Sequence, residues 1–363
     1  MKKVAIVYDW MDSWGGVERV LLELHDLYPD ATFYTSYYDK KKAAWAKDLK
    51  IVQSFIKYLP DFIKKNRKLS LLLYPFAFES FDFTGFDLVI SVTSSYAKGV
   101  VTRPETRHIC YMLTPPRFLL GQQKKYLSSH VRFIVQPYTN YLRKWDAIAS
   151  KRPDKIIAIS KTVSERIKKY YGLESDYLYP PFDADYWRSL LNRHSERSEE
   201  SQGQNYFLIV SRLEPYKKVD LAIEVFNRLP DRKLIIIGTG TEERALKSMA
   251  GKNISFVKNI SDGQVAEYYK NAKALIMPQE EDFGYVSLEA QACGCPVIAY
   301  RKGGATETVV ESKTGIFFDK QTAQSLKEAI ARSEKIKYHL SSSHLSQFDR
   351  LNFIKRFTEI AHE

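Results

Sequence analysis

Short, mostly apolar runs of strand length return at intervals along this chain. VAIVY (4–8), LVISV (88–92), HICYML (108–113) and IIAIS (156–160) form a first series. YFLIVS (206–211), LIIIG (234–238), ISFVK (254–258), ALIMP (274–278) and PVIAY (296–300) form a second. None alternates strictly between apolar and polar residues, which is the pattern of strands buried on both faces. The segments between them have a different period. VERVLLELHDLY (17–28), VDLAIEVFNRL (219–229) and VAEYYKNA (265–272) repeat their apolar positions at helical spacing. Strands alternating with such helices predict an α/β chain whose parallel sheets are covered by helices. Between the two series lies RHSERSEESQGQN (193–205), polar and without a large apolar residue. It reads as a solvated loop or insert near a domain junction. The last stretch, FDRLNFIKRFTEI (348–360), is helical in pattern with no strand after it, so it is expected to pack across another surface.

Length and charge sharpen this picture. At about 100–200 residues per domain, 363 residues suggest two domains. The net charge is +12, and residues 1–150 alone hold 22 Lys+Arg against 14 Asp+Glu, so the excess is not a tail. A basic balance favours anionic partners: nucleic acid, a membrane surface or phosphorylated ligands. The three cysteines, Cys110, Cys293 and Cys295, form no Cys-x-x-Cys and no even framework, as in a reducing compartment. In MKKVAIVYDW the apolar run ends at Asp9, too early for a signal peptide, and reads as a first core strand. The greasiest stretch, LSLLLYPFAF (69–78), is about half the length a membrane span needs. A cytoplasmic protein is expected.

Chemistry concentrates in EEDFGYVSLEAQACGCPVIA (280–299). A helix is predicted from about Val286 to Cys293, with small residues that let it lie close on a sheet; Gly294 suits the left-handed position after it, and Pro296 cannot continue it. Phe283-Gly284 then falls at a helix N-terminus, where free N–H groups and the dipole attract phosphate. Glu281, just before it, would repel phosphate but could accept hydrogen bonds from a polyol. Glu289, about a turn into the helix, could meet another part of an extended ligand. A sugar joined to a nucleotide through a diphosphate needs that combination. Taken alone, the helix is explained as well by Glu281 as a cap and Glu289 as a solvated residue. A glycosidase pair would need carboxylates flanking the scissile bond, and no third acidic group supports it. In SRLEPYKKVDLAIEVF (211–226), Arg212 and Lys217 stand between a strand and a helix. Parallel sheets bind ligands at that end of a strand, Arg grips phosphate with two N–H groups, and Lys adds a point charge. Lys218 reads as a solubility residue.

Arg-Leu-x-x-x-Lys followed by Glu-x7-Glu enclosing Phe-Gly resembles the family 4 glycosyltransferases. The resemblance covers nearly the whole chain and is most specific in VSRLEPYKKVDLAIEVF, LIIIGTG, AKALIMPQEEDFGYVSLEAQACGCPVIA and GGATETV. It implies a GT-B fold, two Rossmann-like domains with parallel sheets facing across a cleft. The bounds expected are 1–182 for the acceptor domain, 183–205 for a connection with the polar insert, and 206–346 for the nucleotide-sugar domain, with helix 347–360 packing back on the first. It also implies retaining transfer without a metal, and domain closure that excludes water. Arg212 and Lys217 would hold the donor diphosphate as leaving group, Glu281 the donor sugar, the backbone of Phe283, Gly284 and Tyr285 the sugar or phosphate, and Glu289 the ribose. Catalysis would rest on Arg212, Lys217 and Glu281, through cations placed in advance against developing negative charge.

In the first half, DWMDSWGGVERVLLEL (9–24) sets Gly15-Gly16 after the first strand. The resemblance places Gly16 beside the donor and Gly15 on the acceptor side; a plain tight turn explains the glycines equally. Lys98, in SVTSSYAKG (91–99), and Arg117, in HICYMLTPPRF (108–118), are further acceptor-side candidates. Relatives often read Cys-Tyr-x-His-Thr-Pro-x-Arg there, whereas this chain has Leu113 at the histidine position, and His108 reads as a packed histidine. The Asp-x-Asp in FDADYW (182–187) is the metal signature of another glycosyltransferase fold and reads as structural. GTG (238–240) alone is a weak motif. The stretch IKYLPDFIKKNRKLSLLLYPFAF (56–78) joins Lys57, Lys64, Lys65, Arg67 and Lys68 to apolar residues, which suits an interfacial helix on the anionic inner face of a plasma membrane as well as an ordinary helix. No reading motif for nucleic acid accompanies the charge. The first half looks most like mannosyltransferases of surface-polysaccharide assembly, so GDP-mannose is the expected donor and a glycan or lipid-linked molecule the acceptor. An epimerase of the same fold and a non-catalytic nucleotide-sugar binder are the alternatives.

Overall fold

All nine apolar runs are parallel strands in the computed structural model, which describes residues 2–67, 69–119, 129–194, 206–340 and 342–362. The chain divides into two units, Met1–Pro181 with Phe353–Glu363, and Phe182–Asn352.

The first unit is built on β1 (Val4–Tyr8), β2 (Thr32–Thr35), β3 (Lys50–Gln53), β4 (Leu88–Thr93), β5 (Arg107–Met112), β6 (Lys155–Ala158) and β7 (Asp176–Tyr177), in the order β3-β2-β1-β4-β5-β6-β7. Its helices are α1 (Gly16–Leu27), α2 (Asp61–Lys64), α3 (Tyr74–Glu79), α4 (Ser129–Ala149) and α5 (Lys161–Tyr171). β1 and β4 are buried along their whole length, as their mostly apolar runs require. Helix α1 buries Val20, Leu21 and Leu24 on one stripe. Helix α5 starts at Ser160, whose side chain accepts from the Val163 N–H, and stops at Gly172 in the left-handed region.

The second unit carries β8 (Tyr206–Val210), β9 (Lys233–Ile237), β10 (Ile254–Val257), β11 (Ala274–Met277), β12 (Val297–Tyr300) and β13 (Gly315–Phe318), ordered β10-β9-β8-β11-β12-β13. Its helices are α6 (Ala184–His194), α7 (Val219–Asn227), α8 (Glu243–Met249), α9 (Asp262–Asn271), α10 (Tyr285–Ala292), α11 (Ala305–Thr308) and α12 (Ala323–Ser333). Ser261 and Gln264 close a capping box at the start of α9. Helix α13 (Arg350–His362) ends the described chain. From Phe353 on it docks on the first unit, where Phe353 meets the Tyr111 ring edge-on at 5.8 Å and Arg107 donates to the Ile360 carbonyl at 3.0 Å.

Each sheet has one place where the strand order reverses, between β1 and β4 in the first and between β8 and β11 in the second. Loops leaving adjacent strands there turn to opposite faces and open a crevice, where doubly wound sheets bind ligands.

The stretch read as a connection, 183–205, begins as helix α6 of the second unit, while residues 195–205 of the polar insert lie outside the described residues. Trp187 of α6 packs edge-on against Tyr269 of α9 at 5.9 Å. The Asp-x-Asp works locally: Asp183 accepts the Tyr186 N–H at 2.7 Å, and Asp185 pairs with Arg188 at 2.8 Å. The interfacial helix expected over 56–78 is corrected. Pro60 and Pro75 each sit at a helix start, and α2 and α3 are short separate pieces. Lys64 and Lys65 pair with Asp61 and Arg67 with Asp12, so much of the basic charge is balanced locally; Lys68 lies outside the described residues. The large apolar residues exposed there are Phe55, Tyr58, Phe62, Leu69 and Phe76, with Lys57, Lys65 and Arg67 exposed beside them.

Candidate functional site

The second unit's switch point gathers the residues singled out from sequence. After β8, Ser211–Lys217 form a turn in which Lys217 ends a short 3-10 segment and Lys218 stands in the left-handed region at the start of α7. Arg212 is exposed and donates from Nη2 to the Tyr216 hydroxyl at 3.0 Å. After β11, Gln279–Phe283 lead to Gly284, which caps α10 with φ +99. Only glycine adopts that conformation freely. The Lys217 ammonium donates to Glu281 Oε1, which also accepts from Gln279 Nε2 at 2.8 Å. The two crevice loops are thereby tied by one ion pair, and Glu281 holds a lysine rather than capping α10. Phe283 is buried, with its ring edge-on to Tyr285 at 5.1 Å and to Phe348 at 5.7 Å. This fixes the backbone of 283–285, and with it the direction of the first N–H groups of α10.

Close backbone contacts build the walls. A Cβ on Gly303 would lie 2.1 Å from the Glu281 carbonyl oxygen, and one on Gly304 2.2 Å from that of Phe283. Gly304 donates its N–H to the Glu281 carbonyl at 2.8 Å. On the β8 side, a Cβ on Gly238 would lie 1.9 Å from the Ser211 carbonyl oxygen. The glycines of GTG and GGATETV therefore let neighbouring loops press against the two that carry Arg212, Lys217 and Glu281. Glu289 stands on the flank of α10, 7% exposed, where its Oε2 accepts from the Tyr269 hydroxyl at 3.2 Å. Burial first, then the Glu289 charge, pushes the Tyr269 hydroxyl well above its ordinary range, so it stays a donor. Gly294, with φ +81, takes the left-handed position expected of it.

In the first unit, Gly15 caps α1 and Gly16 begins it, at the carboxyl end of β1. Glu18 of that first turn is buried, accepts from the Tyr8 hydroxyl at 3.3 Å, and has its carboxyl raised, chiefly by desolvation. Asp9, passed over in the sequence except as the end of a run, staples the crevice. It accepts from Thr93 Oγ1 at 2.9 Å and from the N–H groups of Ser94, Tyr96 and Ala97 at 2.8 Å each. A carboxylate closing an otherwise apolar central strand is the signal that could have found it. Tyr216 and Gln279, which position Arg212 and Glu281, carried no such signal.

One expectation for the first unit changes, and the readings of Leu113 and His108 hold. Lys98 does not face an acceptor and is not solvated: it is 1% exposed and paired at 2.5 Å with Asp146, itself 1% exposed. The Tyr171 hydroxyl donates to the other Asp146 oxygen at 2.7 Å. Leu113 follows β5 as a buried residue whose N–H donates to the Thr93 carbonyl, and it brings no imidazole. His108 does not replace one. It lies wholly buried near the other end of β5, with Nε2 2.8 Å from Ser91 Oγ, and burial lowers it to about 4. Arg117 is half-buried just after β5.

Residues 192–346 match the family model for glycosyl transferases group 1. Over 196 residues the chain is 28% identical to an uncharacterised glycosyltransferase of Methanocaldococcus jannaschii, covering 50% of each chain. Over 138 residues it is 34% identical to the GDP-mannose-dependent alpha-(1-6)-phosphatidylinositol monomannoside mannosyltransferase of Mycolicibacterium smegmatis, covering 33% of this chain and 36% of that one. The chain thus spans half or less of the length of these curated relatives. Among solved structures, HepE of Anabaena, determined in complex with UDP, superposes with a TM-score of 0.72 at 16% identity, covering 99% of both chains. That likeness speaks for the fold, which is the two-domain GT-B class.

Proposed function

We propose that this chain, whose residues 192–346 form a glycosyl transferases group 1 domain on a GT-B fold, is a retaining hexosyltransferase. It moves a hexose from a nucleotide sugar to a glycan or lipid-linked acceptor in cell-surface glycan synthesis. The observation that carries the reading is the meeting of Arg212, Lys217, Glu281 and the N-terminus of α10 on the two loops of the β8/β11 switch point. An exposed guanidinium and an ammonium can take up a diphosphate, and the charge that grows on it as leaving group meets cations already in place. With Lys217 drawn to phosphate, Glu281 is released to accept hydrogen bonds from sugar hydroxyls. The buried Glu289 takes the ribose at the flank of the same helix. These residues suffice without a metal ion.

GDP-mannose is the donor we favour, since the Mycolicibacterium relative uses it. Among the described residues no helix is long and apolar enough to cross a membrane. We place the enzyme at the cytoplasmic face of a membrane, touching it through the exposed aromatics of residues 55–76. The test is a thermal-shift panel of GDP, UDP, ADP and their common sugar conjugates, first in EDTA and then with magnesium. Ligands that bind only the folded state raise its stability. One nucleotide should raise the melting temperature in EDTA, and Arg212→Ala should remove that rise. No shift with any nucleotide, or a shift only with magnesium, defeats the donor site. Leu113 favours one second reading, a binder without catalysis, which would show the shift but no turnover.

A further inference from the structure

The motif DWMDSW holds an exposed aromatic that the donor chemistry leaves unused. Trp14 is 53% exposed, whereas Trp145 and Trp187 are buried at 7% and 3%. It stands in the loop between β1 and α1, next to Gly15-Gly16, at the first sheet's switch point. Its indole is not loose. It packs against Trp45 with ring centroids 6.2 Å apart and planes tilted by 58°. Trp45 is anchored in turn, its Nε1 donating to the Ser13 carbonyl at 2.8 Å. The loops after β1 and β2 are laced together: Met11 N–H donates to the Tyr37 carbonyl at 2.9 Å, and Asp39 N–H to the Met11 carbonyl at 2.8 Å. Trp14 is thus held against a second, anchored tryptophan while about half of its surface stays open to solvent.

From this geometry we propose that Trp14, backed by Trp45, is a stacking platform for a pyranose ring of the acceptor. The inference rests on the glycosyltransferase reading and narrows its acceptor to a molecule carrying a sugar ring at the transfer end. A pyranose has an apolar C–H face and a polar rim. A fixed indole offers a large apolar surface of negative π character to that face and loses little freedom when it is covered. The glycines beside Trp14 carry no side chain that could screen it. Carboxylates suited to hydroxyls stand on the same two loops: Asp12, gripped by Arg67 at 2.5 and 2.7 Å, and Asp39, which accepts from the N–H groups of Lys41 and Lys42. Arg67 is itself held 4.1 Å over the Trp10 ring.

The test uses the full chain labelled with 5-fluorotryptophan, the Trp14 line being assigned by its loss in Trp14→Phe. Methyl pyranosides of mannose, glucose, galactose and N-acetylglucosamine are titrated while 19F spectra are recorded. At least one should move the Trp14 and Trp45 lines and leave those of Trp145 and Trp187 in place. Saturation-transfer spectra should show that sugar's ring protons in contact. Trp14→Ala should weaken its binding about tenfold, in the range of a lost aromatic stack, and Trp14→Tyr should keep most of it. Nucleotide melt shifts in both variants should equal that of the wild type, which shows that they fold. The platform is overturned if no pyranoside moves the Trp14 line, if Trp14→Ala binds it unchanged, or if the line moves only with phosphatidylglycerol vesicles. A wild type that responds to no nucleotide defeats the glycosyltransferase reading instead, and the sugar titration still decides on the platform.

Discussion

Replacing Lys98 by methionine separates a structural lysine from a substrate-binding one. The ammonium and the Asp146 carboxylate are each 1% exposed and 2.5 Å apart. Lys98 also donates to the Ser95 carbonyl, and Tyr171 donates to Asp146 at 2.7 Å. Lys98→Met keeps the volume and removes one charge. It leaves a carboxylate inside the unit with its cation gone. Breaking a buried pair from one side costs about 3–5 kcal/mol, a large share of a net stability of about 5–15 kcal/mol. Removing both charges, in Lys98→Met with Asp146→Leu, should restore part of the loss, because no buried charge is left unpaired and only the Tyr171 hydroxyl and the Ser95 carbonyl lose a neutral partner. Urea unfolding reads this as a midpoint that falls in the single variant and recovers in part in the double. The nucleotide-dependent melt shift should survive in both. The reasoning is refuted if Lys98→Met changes stability by less than about 1 kcal/mol and selectively weakens acceptor use, for then the lysine faces a ligand.

Further outcomes follow from the same structure. His108 stays neutral when folded, lowered by burial from 6.5 to about 4. Above pH 6.5 neither state binds the proton and the stability is complete. As pH falls from 6.5 towards 4, the unfolded chain takes the proton and the folded one does not, which removes about 3 kcal/mol. Melting temperatures from pH 7.5 to 4.5 should fall less steeply in His108→Gln. Gly172→Ala, with φ +68 and open space around it, should cost about 1–2 kcal/mol for the left-handed backbone alone. Gly303→Ala, with φ +70 and the Glu281 carbonyl in the way, should cost more and also abolish the nucleotide melt shift; equal losses in the two would contradict the wall described for the crevice. Tyr58→Ser with Phe62→Ser should reduce sedimentation with anionic liposomes at low salt and leave the melt unchanged, whereas unchanged sedimentation would discard the membrane contact.

The sequence made the fold legible where burial writes a continuous pattern. The central strands β1, β8 and β11 are apolar throughout, and β4 is apolar except for Ser91 and Thr93, as strands covered on both faces should be. The strands it hid lie at or near sheet edges. In β3, exposed and partly buried positions alternate; β7 has two exposed residues; β13 opens on a glycine. In the site, Arg212, Lys217, Glu281 and Gly284 were legible because their loops follow strands and precede helices, which needs no tertiary information. Lys98 was misread for the opposite reason: its partner Asp146 is distant in sequence, and only the folded unit brings the two charges together. Asp9 was under-read in the same way, since its donors come from the loop after β4. The single helix read over 56–78 failed because Pro60 and Pro75 each start a short separate piece, and charge composition did not show which cations Asp12 and Asp61 neutralise.

Retaining transfer from a nucleotide sugar at the β8/β11 crevice can be followed without an acceptor. Its most direct measurement is real-time 1H NMR of the purified chain with GDP-mannose and other nucleotide sugars in EDTA. The spectra follow the slow release of sugar to water and the anomer that forms first. One donor should turn over, with the α-anomer appearing first from an α-linked sugar, and turnover should be lost in Arg212→Ala and in Lys217→Ala. No turnover of any donor, or first release of the β-anomer, would contradict retaining transfer at this crevice.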